Sequence, residues 1–114
     1  MIVRQIVAEA LAPVLENSHY SELPAEPVWP AAVWSISSAP EDQWCYLGGY
    51  DSHELNIVFL AKDADEFGAI IASARAALEA LPIFQFEEAS GDSEYESDPE
   101  VYAQFLTVRL RTRR

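Results

Sequence analysis

The sequence has little of three things that would point to a particular chemistry or compartment. It has one cysteine in 114 residues, Cys45, so no disulfide can form within the chain, which suits a reducing cytoplasm. Seven basic residues stand against 19 acidic ones, and this net charge of −12 disfavours sequence-independent binding to nucleic acid or to an anionic membrane. No apolar run is long enough to span a bilayer.

Motifs of enzymatic chemistry are missing as well. The sequence has no phosphate-binding glycine loop, no Gly-x-Ser-x-Gly, no Cys-x-x-Cys and no EF-hand spacing of acids. His19 and His53 lie at predicted loop or strand-edge positions without a metal-ligand partner, which is typical of ordinary surface residues. Cys45 stands beside Trp44 and Tyr46 and is interpreted as a small apolar filler rather than a nucleophile. We therefore expect no catalytic, cofactor or metal site.

A strand followed by a capped helix is the clearest local structure in the chain. Half of the residues are hydrophobic and 11% are aromatic, which is enough for one folded domain over residues 1–114. Apolar side chains alternate through Glu54–Ala61 and predict a strand. Asp63 is placed to cap a helix whose apolar residues recur at spacings of three and four as far as Leu81, and Pro82 ends it.

The remaining patterns predict one more helix and three more strands. Residues 2–15 carry an apolar stripe, which predicts an amphipathic helix rather than a secretion signal, ending or kinking near Ala12 because of Pro13. The further strands are Ala31–Ser38, Ile83–Glu87 and Val101–Thr112, with Trp44–Leu47 a candidate for another short one, and Asn17–Pro30 and Glu87–Glu100 are predicted loops. The order α-β-β-α-β-β predicts an α+β domain with a mainly antiparallel sheet of about four strands and two helices packed on one face.

Three surfaces outside this core are candidates for contacts with proteins. The hairpin tip is aromatic, with Trp44, Tyr46 and Tyr50, which either anchor an interface or cap the core. The predicted loop Glu87–Glu100 holds seven acids, among them Glu94, Glu96 and Asp98. Four of the seven basic residues lie in the last six positions: Arg109, Arg111, Arg113 and Arg114. An acidic loop and a basic tail suit head-to-tail contacts between copies, which can close into a ring; alternatively, the loop is solvated and the tail frays.

This order of elements resembles the tail-completion, or tail-terminator, proteins of long-tailed bacteriophages, the group that includes the minor tail protein U of phage lambda. The resemblance covers nearly the whole chain. It rests on the N-terminal amphipathic helix and on four further segments: the proline-rich approach to a strand over Pro27–Ser37, the strand Leu55–Ala61 with its acid-capped, alanine-rich helix, the acidic Glu94–Pro99, and the final strand Val101–Leu110 with its basic end.

The resemblance implies a structural protein of a phage or prophage, without enzymatic activity or cofactor. Such proteins form a hexameric ring on the finished tail tube, stop its polymerisation and give the head its docking surface, and they can stay monomeric until the tail is present. The implied partners are other copies, the tail-tube protein and the head–tail connector protein. The implied location is the virion tail, after assembly in the cytoplasm of the bacterial host.

Two other function classes remain open on the sequence. The charge of −12 and the spaced acids of Glu87–Glu100 also suit an acidic DNA mimic, or another protein-interaction module, that occupies a basic partner. A small-molecule-binding or enzymatic α+β domain would need a pocket with converging polar groups. No set of residues in the sequence predicts such a pocket.

Overall fold

The fold is that of a computed structural model, which describes residues 3–15, 18–20, 29–40, 50–93 and 100–113. These ranges contain two helices and five strands, in the order α1 (Val3–Leu11), β1 (Ser18–Tyr20), β2 (Ala31–Pro40), β3 (Tyr50–Ala61), α2 (Ala64–Glu79), β4 (Phe84–Ser93) and β5 (Tyr102–Arg113). The predicted α+β class is confirmed. The sheet has five strands where about four were predicted, because β1 lies within the predicted loop Asn17–Pro30.

The five strands form one sheet in the order β1-β2-β3-β5-β4. The predicted hairpin is confirmed: β2 and β3 pair antiparallel, with Trp34 opposite Ile57. β5 pairs antiparallel with both β3 and β4, and it therefore lies inside the sheet. β1 is short and pairs parallel with β2, which leaves β1 and β4 as the two edges of the sheet. The predicted short strand Trp44–Leu47 lies outside the described residues.

The main core lies between one face of the sheet and the two helices, as predicted. Alternate residues of β3 and β5 point into it and are almost fully buried: Leu55, Ile57, Phe59, Leu106, Val108 and Leu110. The helices supply Val7 and Leu11 from α1 and Ile71, Ala74 and Leu78 from α2. Because both described helices lie on one side, the opposite side of β2, β3 and β5 carries no helix of the described ranges, and we call it the helix-free face.

The start of α2 is fixed by the predicted cap. Asp63 is extended, with φ −106° and ψ 119°, and its carboxylate accepts hydrogen bonds from the backbone N–H groups of Asp65 at 2.9 Å and Glu66 at 3.3 Å. These are donors that an α-helix leaves unpaired in its first turn. The predicted helix start is therefore confirmed.

Removing this cap should weaken the domain measurably. We expect Asp63→Ala to lower the free energy of unfolding by about 1 kcal/mol, because two backbone donors lose their acceptor. Urea denaturation at pH 7 measures the change. Asp65→Ala is the matched control, since it removes an acid from the same turn but no cap, and it should cost less. Equal losses for the two variants would contradict a capping role for Asp63.

The prediction for the segment after α2 was wrong in part. The predicted loop Glu87–Glu100 begins as strand, because β4 runs from Phe84 to Ser93 and pairs with β5 along its length. Two register shifts, between Phe84 and Phe86 and between Glu87 and Ala89, interrupt the pairing. The strand is also exposed on both faces over most of its length, so it carries no alternation of apolar and polar residues. Residues 94–99 lie outside the described ranges.

Candidate interaction surface

Of the ten residues singled out in the sequence as interface candidates, the structure describes the side chains of three. Tyr50, Arg109 and Arg111 lie at one end of the sheet, on β3 and β5, and all three are partly exposed. The backbone of Arg113 is placed at the end of β5, opposite Tyr50. The other six lie outside the described residues: Trp44, Tyr46, Glu94, Glu96, Asp98 and Arg114.

Tyr50 and Arg111 are brought together by the pairing of β3 with β5. Arg111 lies opposite Ser52 in the register, and its guanidinium stacks over the Tyr50 ring at 4.1 Å from the ring centroid. A guanidinium over the face of an aromatic ring is a favourable cation–π contact, worth about 0.5–1 kcal/mol at an exposed site. One aromatic residue near the hairpin tip and one arginine of the last strand therefore form a stacked pair at this end of the sheet.

Arg109 forms a charged ladder across three strands of the helix-free face. Its Nε and Nη2 donate to the two carboxylate oxygens of Glu88 on β4, at 3.1 and 3.2 Å. On the other side Nη2 lies 3.4 Å from Glu54 Oε2 on β3. The hydrogen bond to Glu88 raises the pKa of Arg109 above its ordinary value, so the guanidinium stays charged. We call these three residues the Arg109 ladder; one cation in it serves two carboxylates.

A shallow groove lies beside this ladder. Small side chains line it, together with the ladder residues Glu54 and Arg109: Ser37, Ser38, Ala39 and Ser52. The small side chains leave room above the sheet, and the side chain of Glu54 keeps 36% of its surface exposed. The groove can therefore admit a long polar side chain from another molecule, with a carboxylate and serine hydroxyls to receive it.

The same face becomes apolar toward its other end. Val33, Val58 and Phe105 lie in one row across β2, β3 and β5, and the Phe105 ring covers Gly91 on β4. A Cβ at Gly91 would lie 3.1 Å from Phe105 Cε1, so the glycine permits this close packing. Beyond this row a small second cluster is buried, formed by Leu60, Val101 and Ala103 with Trp29 and Val58 against it.

His53 is a residue whose placement the sequence analysis missed. It was expected at a loop or strand edge, but it lies within β3 and is only 5% exposed. Its Nδ1 lies 2.6 Å from the Ser38 hydroxyl and its Nε2 2.7 Å from the Thr112 hydroxyl, so the ring joins β2, β3 and β5. The alternation of Leu55 and Ile57, continued two residues back, places His53 on the buried side and was the available signal.

The pKa of His53 has a consequence for the stability of the domain. Burial lowers it below the ordinary value of 6.5, against an opposing influence of the Asp51 carboxylate. The unfolded chain therefore takes up the proton at a higher pH than the folded chain does. The contribution of His53 to stability is complete above pH 6.5 and is lost as the pH falls from 6.5 through the lower folded pKa.

We expect His53→Gln to flatten the dependence of stability on pH in this window. The glutamine amide can bond both hydroxyls but does not titrate, whereas the carboxylates titrate in both proteins and cancel in the comparison. Urea unfolding at pH 7.5 and pH 5.5 measures the two slopes. The wild-type chain should lose more stability between these pH values than the variant; equal losses would show that His53 does not titrate in this way.

Two further features bear on which chemistries the surface supports. Among the described side chains, no group of three or more histidine, cysteine, aspartate or glutamate residues is placed to hold a metal ion. No helix in the described ranges combines the length and the hydropathy needed to cross a bilayer. The groups that do converge are a charged ladder and a stacked Tyr50–Arg111 pair.

Comparisons with known proteins agree with the resemblance seen in the sequence. The sequence model of the family described as "Tail completion protein gp17" matches residues 3–113. The fold is similar to that of a chain in a solved structure of the virion of a native gene transfer agent particle, with a TM-score of 0.67 and 16% sequence identity, over 98% of this chain and 95% of that one. At this identity the likeness shows the fold alone. A comparison with curated proteins finds no match.

Proposed function

The chain belongs to the tail completion protein gp17 family, and on that premise we propose that it caps a finished tail tube and forms the head–tail joining surface by ring-like self-association. Family membership makes it a structural protein of phage tails. The family match over residues 3–113 carries the proposal, because it spans every helix and strand of the described fold.

The surface chemistry supports a role in protein contacts. Glu87 is held by Arg75 at 2.8 Å and Glu88 by Arg109, so two of the acids that suggested a DNA mimic are engaged within the fold. This favours the tail role over the mimic. The partly exposed Tyr50–Arg111 pair and the Arg109 ladder instead offer mixed charge and aromatic area, which suits contacts with other protein subunits.

The proposed partners are other copies of the chain, the tail-tube protein and the head–tail connector protein. The proposed assembly is a ring, a hexamer as the resemblance implies, which forms on the tube and can be absent from the isolated protein. Assembly would take place in the cytoplasm of the bacterial host, from a phage or prophage genome, and the product would reside in the virion tail. One domain over residues 1–114 would carry all three contacts.

An assembly assay tests the proposal. Particles made without the protein should have tail tubes of uncontrolled length and no attached heads, and adding the purified chain should restore both length control and joining, as scored by electron microscopy. Leu78→Asp, which places a charge in the core, is the matched inactive control. Restored particles should carry a ring of density at the tube end. Tubes that neither bind the chain nor change in length distribution would overturn the proposal.

A further inference from the structure

The Arg109 ladder carries an excess of negative charge on the helix-free face. One guanidinium serves two carboxylates, and it binds Glu88 with two hydrogen bonds while Glu54 is held by a single contact of 3.4 Å. Each side chain of the ladder is about one-third exposed, at 30% for Arg109, 36% for Glu54 and 37% for Glu88. The less tightly held carboxylate, Glu54, is therefore the one that can take a second cation.

The groove beside the ladder leaves space for a cationic side chain to reach the carboxylate of Glu54. Ser37, Ala39 and Ser52 are small and lie next to Glu54 on the exposed side of β2 and β3. An arginine or lysine side chain laid between them would meet the carboxylate of Glu54 and the serine hydroxyls. A guanidinium suits this arrangement best, because its planar fork can bond a carboxylate and a hydroxyl at the same time.

The cations whose side chains the structure describes already have positions elsewhere. Arg75 pairs with Glu87 on the helix side, Arg4 stacks at 3.9 Å over Tyr20, and Arg111 stacks over Tyr50. Arg109 belongs to the ladder itself, and Lys62 also has an interaction within the fold. The remaining cations of the sequence are the last two residues of the basic tail, Arg113 and Arg114.

Within one copy the strand register places the backbone of Arg113 away from Glu54. β5 is held in register as far as Arg113, which lies four residues beyond Arg109, about 13 Å along the strand. Side chains of a strand stand roughly perpendicular to its sheet, so a position this far along β5 is poorly suited to a contact with Glu54 in the same copy. A second copy packed against this face would instead bring its arginines in from above the sheet.

We propose that the groove over Glu54 receives an arginine of the Arg113–Arg114 end of a second copy of this chain. The contact is heterologous, because the groove of one copy takes the end of the next, and repeated contacts of this kind close a ring when the rotation allows. The inference deepens the proposed function and depends on self-association. It places that association at the Arg109 ladder and leaves the contacts with tube and connector on other surfaces.

Sedimentation of charge variants, alone and with tail tubes, tests the pairing. Glu54→Gln should weaken self-association about fivefold at low salt, roughly the effect of losing one partly exposed charge pair across an interface. Glu79→Gln on α2 removes the same charge from an exposed helix position and should leave association unchanged. Glu54→Arg combined with Arg113→Glu and Arg114→Glu should recover much of the affinity that each change alone removes. Equal affinity for the wild type and Glu54→Gln would overturn the inference.

Photo-crosslinking shows whether the contact runs between copies. A benzophenone amino acid at position 114, in a mixture of ¹⁴N- and ¹⁵N-labelled chains, should give mixed-isotope crosslinks to peptides containing residues 37–39 or 52–54. Crosslinks within one copy, or to other surfaces, would overturn the inference while leaving the ring proposal in place. A chain that never self-associates, even on tail tubes, would overturn both. A chain that caps tubes through a different self-contact would overturn the groove assignment alone.

Discussion

Phe59→Ala is expected to lower the free energy of unfolding by about 3–5 kcal/mol. The side chain is 1% exposed and lies in the core between the sheet and the helices. Truncation removes the ring from apolar surroundings and leaves a cavity that a strand in the middle of the sheet cannot collapse to fill. Domains of this size have about 5–15 kcal/mol of stability, so the variant should be marginally folded at 25 °C.

Phe86→Ala is the matched control for this prediction. Phe86 lies on the edge strand β4 and is 52% exposed, so the same truncation should change the stability by less than about 0.5 kcal/mol. Chemical denaturation of the three proteins, followed by tryptophan fluorescence, gives both differences. A loss of stability at Phe86 comparable to that at Phe59 would contradict the exposure of Phe86. It would show that this side chain is buried in the isolated protein.

The elements best predicted from the sequence are those fixed by local chemistry. The alternation through Leu55, Ile57 and Phe59 identified the buried side of β3, and the side-chain oxygen of Asp63 was placed correctly at the start of α2. In both cases neighbouring residues carry the whole signal, because a half-buried strand has a period of two and a helix start needs an acceptor. The face that holds the helices followed from the same patterns.

The edges of the sheet could not be predicted in this way. β4 is exposed on both sides and interrupted by two register shifts, so its acidic sequence gives no period and suggested a loop. β1 has three residues and is recognised only through its partner β2. Edge strands are defined by the strand beside them, and that information is distant in sequence.

The candidate surface also combines features that neighbouring residues predict with features that depend on residues distant in sequence. The basic end of the chain was recognised from composition, but the partners of Arg109 were not, since Glu54 lies 55 residues before it and Glu88 lies 21 before it. Only the register of β3, β5 and β4 brings these three side chains together. A charge run in the sequence therefore indicated a candidate surface, whereas the pairing of strands determined which of its charges are satisfied within the fold.

Trp34→Ala should also lower the free energy of unfolding strongly, but it should loosen some elements of the fold more than others. Trp34 is 4% exposed in β2, and the Tyr20 ring of β1 meets it edge-on with centroids 4.9 Å apart, while the Arg4 guanidinium of α1 covers Tyr20 at 3.9 Å. We expect a loss of about 3–5 kcal/mol in the free energy of unfolding. We also expect β1 and α1 to be loosened more than the rest of the fold, because Tyr20 of β1 packs on the Trp34 ring and Arg4 of α1 stacks on Tyr20.

Hydrogen exchange separates this outcome from a uniform loss. In Trp34→Ala the amides of Val3–Leu11 and Ser18–Tyr20 should lose more protection than those of β3 and β5, whereas Phe59→Ala should lower protection in all elements together. Trp34→Phe keeps an aromatic ring against Tyr20 and serves as the control, with a smaller loss and protected α1 amides. If the amides of α1 and β1 stay as protected as those of β5 in Trp34→Ala, the prediction is wrong. Other contacts would then attach α1 and β1 to the sheet, and the stacked contacts of Arg4 with Tyr20 and of Tyr20 with Trp34 would not be required.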